Sequence, residues 1–171
     1  AGAAPVGQLQ QLRAADSHDD GAQTGFDLKT SSGALLRISL LRADVVHVQA
    51  GANGRLTPAG DKAAPIVLPR AWGPVEHRVV ELADRIEIQT AALTLRIQRK
   101  PLRLELLRAG EERPLWRELQ PLDLSPKRTV QSLSSDRDER FYGGGQQNGR
   151  FEFKGRQLDI SYSGGWEEGD R

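Results

Sequence analysis

The sequence predicts an all-β fold, an antiparallel β-sandwich. Three observations predict it. Apolar residues recur at every second position in several short segments, turn-forming residues separate those segments, and no stretch of about 12 residues carries the three-and-four spacing of an amphipathic helix.

Taken in order, residues 1–23 form an N-terminal segment, an edge strand or a linker, ahead of a sandwich domain at 24–171. Within the segment, Gln8 to Arg13 reads as a short edge strand or a helical turn. Ser17-His18-Asp19-Asp20-Gly21 reads as a turn, because these side chains bond their own backbone and glycine permits positive φ. Phe26-Asp27-Leu28-Lys29 then alternates, and so does Leu36-Arg37-Ile38-Ser39-Leu40 after the turn Ser31-Ser32-Gly33. Asp44 to Gln49 comes closely enough after it to pair with it as a hairpin. Residues 63–74 carry Pro65, Pro69 and Pro74 and read as a crossover loop or an interrupted edge strand. Arg85 to Thr90, Leu93 to Gln98 and Leu102 to Leu106 each put Leu or Ile on one face and polar residues on the other. That is the pattern of strands dry on one side and wet on the other. Gly51-Ala52-Asn53-Gly54, Lys100-Pro101 and Ala109-Gly110 supply the turns.

Composition narrows the function. Among 171 residues, Lys and Arg number 24 and Asp and Glu 23, which lacks the concentrated positive footprint of a nucleic-acid binder. The mean hydropathy is −0.53, and no apolar run reaches the roughly 20 residues that span a bilayer. Neither nucleic acid nor a membrane is expected as a partner. Without cysteine this chain has no disulfide, thiolate nucleophile or Cys-based zinc site. There is no methionine at position 1, so a longer precursor is expected, and the alanine-rich start points to export, secreted or periplasmic.

The common chemical constellations fail one by one. Gly143-Gly144-Gly145 lacks the dinucleotide-binding spacing, since Asn148 stands where glycine is required. Asp16, Asp19 and Asp20 around His18 do not meet the calcium-loop pattern and read as a solvated turn. Ser17-His18-Asp19 holds triad residue types, but adjacent positions cannot converge on one substrate atom. His47, between Val46 and Val48, reads as a strand residue on a polar face or as a satisfied, partly buried histidine. No cofactor and no metal are expected.

The C-terminal part differs. Phe141-Tyr142-Gly143-Gly144-Gly145-Gln146-Gln147-Asn148-Gly149-Arg150-Phe151 concentrates aromatics, glycines and carboxamides, and the carboxamides both donate and accept, as sugar hydroxyls do. Tyr162 to Asp170 places an aromatic plate beside three carboxylates on a glycine-rich loop. Apolar plate plus acceptors suits a pyranose ring. A loop whose Trp166 docks on a neighbouring domain fits the same residues equally well.

Glu139 through Arg156, which contains this motif, resembles the N-terminal domain of glycoside hydrolase family 31, where a Phe-Tyr-Gly-x-Gly strand sits late in a sandwich. Leu36 to Val48 and Ile88 to Leu102 are similar in order to the family's earlier strands. Gln146 stands where many members have Glu; this variant is similar to a subgroup that includes α-galactosidases and α-glucosyltransferases. The resemblance implies a galactose-mutarotase-like sandwich, truncated here before a catalytic (β/α)8 barrel of the same parent chain. It also implies retaining cleavage or transfer at α-linked glucosides or galactosides. The Asp nucleophile and Asp acid/base would lie on that barrel, as the paired carboxylates of retaining chemistry, so no residue here is assigned as catalytic and the fragment alone is not an enzyme. The partners implied are the barrel and a carbohydrate substrate. By position the loop at 161–170 reaches the substrate pocket, with Trp166, Glu167 and Asp170 as its contacts, while Phe141 and Tyr142 pack. A stand-alone carbohydrate-binding module and a structural sandwich without ligand are the alternatives.

Overall fold

The computed structural model describes residues 4–15, 21–56, 71–125, 128–143 and 151–158. The chain forms two compact units, Ala1–Ser134 and Ser135–Arg171.

The first unit is a sandwich of two antiparallel meanders. One sheet runs β1 (Leu9–Ala15), β2 (Gly25–Thr30), β3 (Leu35–Arg42) and β4 (Val45–Gly51), each paired with the next. The other runs β5 (Arg78–Glu81), β6 (Arg85–Gln89), β7 (Leu93–Arg99), β8 (Leu102–Arg108) and β9 (Pro114–Arg117). A short hairpin of β10 (Asp123–Ser125) and β11 (Arg128–Val130) comes after them. Among the described residues no helix is long and apolar enough to cross a membrane.

Alternation decides which face is buried. In β2, Phe26 and Leu28 point inward and Asp27 outward; in β7, Leu95 and Ile97 point inward and Arg96 outward. Register makes the pattern continuous, with Phe26 opposite Ile38 and Ile97 opposite Leu104. The inward residues of both sheets form one cluster that includes Leu28, Leu36, Ile38, Ile86, Ile97 and Leu104. Each such side chain contributes about 1.5–3 kcal/mol on burial.

The outer faces are polar and ordered. Arg37 donates two hydrogen bonds to Asp27, at 2.9 and 3.1 Å, across the β2–β3 pair. On the five-stranded sheet, Glu87 accepts from Arg85, Arg96 and Gln89. Burial pushes the Glu87 carboxyl up, but the hydrogen bonds from Arg85, Gln89 and Arg96 outweigh it and hold the group below its ordinary value.

The N-terminal segment joins the sheets. Val6 is buried in the core, and its N–H donates to the Leu122 carbonyl at 2.9 Å. The Gly7 carbonyl accepts from Leu102 at 2.7 Å, and the Gln8 carbonyl accepts from Ser31 at 2.9 Å. Residues 6–8 therefore touch β8, the β2–β3 turn and the approach to β10. Gly7 is required here: its φ is +81°, and a Cβ would lie 2.4 Å from the Ser31 hydroxyl oxygen. Thr90 adds a second tie, its hydroxyl donating to the Ala43 carbonyl at 2.6 Å, so the β6–β7 turn meets the β3–β4 turn.

The six alternating segments read from the sequence are β2, β3, β4, β6, β7 and β8, and the expected β3–β4 hairpin is present. Gln8 to Arg13 falls largely in β1, an edge strand rather than a helical turn. Residues 63–70 of the proline-bearing stretch lie outside the described residues; 71–74 carry no strand.

Ile97→Ala should lower the unfolding free energy by about 2–5 kcal/mol, whereas the same replacement at exposed Val45 should change it by less than about 0.5 kcal/mol. Urea denaturation of the two variants checks this. Equal losses would mean that the two-sheet cluster is not where stability resides.

Candidate functional site

The described part of the second unit is built around a short antiparallel pairing. Tyr142 bridges to Glu152, and the Phe153 N–H donates to the Phe141 carbonyl at 2.9 Å. Local sequence explains the geometry. Phe141 and Tyr142 lead into the glycine run, and Phe151-Glu152-Phe153-Lys154, which alternates apolar and polar residues, leads out of it. Gly143 has φ of +105°, a conformation that side-chain-bearing residues rarely adopt.

Two side chains hold the arms. The Glu152 carboxylate accepts from the Lys154 N–H at 2.8 Å and from the Phe141 N–H at 3.4 Å. The Lys154 N–H bond leads in holding this carboxyl below its ordinary value; burial opposes it, and the Phe141 N–H with the nearby Arg140 and Lys154 charges add to the lowering. The Lys154 ammonium donates to the Arg137 carbonyl at 2.7 Å and also to that of Asp136, clasping the preceding turn. That turn is closed reciprocally, with the Glu139 N–H on the Asp136 carbonyl and the Asp136 N–H on the Glu139 carboxylate.

The arms present aromatic surface. Phe141 is 44% exposed, Tyr142 71% and Phe151 88%. Covering an aromatic side chain removes roughly 150–250 Å² of surface from water, so these rings leave substantial apolar surface exposed. Packing is the expectation for Phe141 and Tyr142; among the described residues Tyr142 remains largely uncovered.

The loop residues expected to touch substrate, Trp166, Glu167 and Asp170, lie outside the described residues, as do Gln146, Gln147 and Asn148. The Asp16 to Asp20 cluster lies outside them too. His47 sits half-buried in β4 opposite Ser39. His77 packs edge-on against Phe26 with ring centroids 5.4 Å apart, and its Nδ1 meets the Val75 carbonyl at 2.8 Å. Its ring is thus a structural contact. Among the described residues the two buried carboxylates are both satisfied: Glu87 by the groups named above, and Glu118 by the Leu104 N–H and the Gln131 amide. Among the described residues no three His, Asp or Glu side chains gather to hold a metal ion. A cavity of about 180 Å³ is lined by Ala4, Ser32, Ala34, Ala52, Asn53 and Leu124, with no titratable group. The sequence did not single out Glu152 and Lys154, although the Phe-Glu-Phe-Lys alternation at 151–154 is the signal that marks them.

Residues 35–170 match the family model described as the glycosyl hydrolase 31 N-terminal galactose mutarotase-like domain. Among solved structures, the Flavobacterium johnsoniae family 31 dextranase, complexed with glucose, superposes with a TM-score of 0.73 at 18% identity, over 89% of this chain and 18% of that one. The cycloalternan-forming enzyme from Listeria monocytogenes, in complex with a pentasaccharide substrate, gives 0.57 at 18% identity, over 89% of this chain and 14% of that one. The Xanthomonas citri family 31 α-xylosidase gives 0.52 at 24% identity, over 77% and 15%. At these identities the likeness shows the fold. No curated protein matches the sequence. The chain spans less than a fifth of the length of these solved enzymes.

The carboxyl carbon of Glu152, followed by NMR, should titrate below the ordinary 4.5. A midpoint at or above that value would mean that Glu152 does not cap the Lys154 and Phe141 N–H groups.

Proposed function

The chain belongs to the glycosyl hydrolase 31 N-terminal galactose mutarotase-like domain family, and from that premise we propose that it serves as the non-catalytic N-terminal domain of a retaining α-glycosidase or α-glycosyltransferase. In this reading it supports a (β/α)8 barrel in the same longer chain. It lends the loop at 161–170 to a pocket for α-linked glucosides or galactosides. The observation that carries the reading is the family match over residues 35–170, joined to described residues whose buried carboxylates are all spent on structural hydrogen bonds. Retaining hydrolysis needs two carboxyl groups about 5–5.5 Å apart and facing one glycosidic bond. In this proposal the barrel supplies them and the sandwich supplies support and one wall.

Trp166, Glu167 and Asp170 are the proposed substrate contacts. The tryptophan would cover a sugar face and the carboxylates would accept from its hydroxyls. The α-galactosidase and α-glucosyltransferase subgroup is proposed on the Gly-Gly-Gly-x-Gln-Asn-Gly variant at 143–149. The exposed rings of Tyr142 and Phe151 favour a second reading, a stand-alone carbohydrate-binding module.

The purified 171-residue chain should release no nitrophenol from aryl α-glucosides or α-galactosides and should give no saturable heat on titration with isomaltotriose. A clear rate would overturn the non-catalytic reading; saturable binding without turnover would favour the module. In the longer enzyme, Trp166→Ala should lower kcat/KM by about tenfold, near 1.4 kcal/mol, and leave the thermal midpoint of this domain within a degree or two (~0.5 kcal/mol or less). A large fall in midpoint with normal kinetics would assign Trp166 to packing instead.

A further inference from the structure

Glu118 is 4% exposed and stands where β9 parts from β8. Its N–H donates to the Leu104 carbonyl at 2.9 Å. In the return direction the Leu104 N–H is taken at 2.9 Å by the Glu118 side chain, through Oε2. The carboxylate thus does the work of a backbone carbonyl and leaves the main chain free to turn away. Its other oxygen, Oε1, accepts from Gln131 Nε2 at 2.8 Å.

Gln131 opens the last segment of the first unit, which lies along the free edge of β9. The Leu119 N–H donates to the Ser132 carbonyl at 2.9 Å, the Ser134 N–H donates to the Arg117 carbonyl at 2.8 Å, and Leu133 bridges to Glu118. Leu133 is 44% exposed, so little apolar burial holds the segment. Elements held by hydrogen bonds rather than by core contacts open at low free energy.

We propose that Glu118 latches the segment at 131–134 to the sandwich, and that this segment opens as a local unit of its own. A carboxylate suits the task because it has two acceptors, one spent on core strand β8 and one on the segment. Ser134 is the last residue of the first unit, so the latch fixes where the chain leaves the sheet, and Glu118 acts as a positioning residue for that exit. The inference needs neither a sugar nor a catalytic partner, and it stands or falls apart from the proposed function.

Amide hydrogen exchange of the 171-residue chain, followed residue by residue, tests it. Gln131→Ala removes one side of the latch from an exposed position. The amides of Leu119 and Ser134 should then exchange about tenfold faster, as loss of one hydrogen bond of about 1.4 kcal/mol allows, while those of Val6 and Leu102 keep their rates. Glu118→Gln should retain wild-type rates at all four, because a carboxamide can accept from Leu104 and donate to the Gln131 side-chain carbonyl. Unchanged rates at Leu119 and Ser134 in Gln131→Ala would overturn the latch. So would acceleration of all four amides together.

Discussion

Burial of two apolar sheet faces against one another is the constraint on which the rest depends. Leu28 and Ile38 from one sheet and Ile86, Ile97 and Leu104 from the other lie in one cluster. A one-residue slip in any strand would turn its apolar set outward. Register is therefore fixed by the core, and with it the outward positions of Asp27, Arg37, Glu87 and Arg96. The polar lattices on the outer faces result from the same alternation. Residues 6–8 span the end of the sandwich and give both sheets hydrogen-bond partners.

Much of this was legible in the sequence. Strands β2, β3, β4, β6, β7 and β8 each alternate over four or more positions, and the period alone separates them from helix. The strands that escaped notice are short or interrupted. Strand β5 has four residues with the neighbouring Val79 and Val80, which breaks alternation, and β10 and β11 have three residues each. Strand β9 begins at Pro114, a residue that ordinarily argues against a strand and is tolerated here at a strand start. Val6 gave no periodic signal at all. Its burial depends on contacts with Leu122 and the β2–β3 turn, which are far away in sequence.

The site was legible differently. The glycine run between aromatics marked the hairpin at Phe141 as unlike the sheets before it, and the structure brings Tyr142 opposite Glu152 there. What holds that hairpin, the Glu152 cap and the Lys154 clasp, depends on side chains reaching backbone groups, which residue types alone do not specify. Glu118 is a parallel case. In sequence it is one acid among many, and only its distances to Leu104 and Gln131 distinguish it. The residues offered as substrate contacts, Trp166, Glu167 and Asp170, rest on motif position and carry the weight of a proposal.

The proposed role, scaffold and partial wall for chemistry done elsewhere, rests on the family match and on described buried acids that are engaged in structure. The most direct measurement is to read the coding frame beyond Arg171. The account predicts that it continues into alternating strands and helices, with an Asp at the C-terminal end of a barrel strand, where barrel enzymes place their reacting groups. A stop codon directly after Arg171 in the native gene would contradict it.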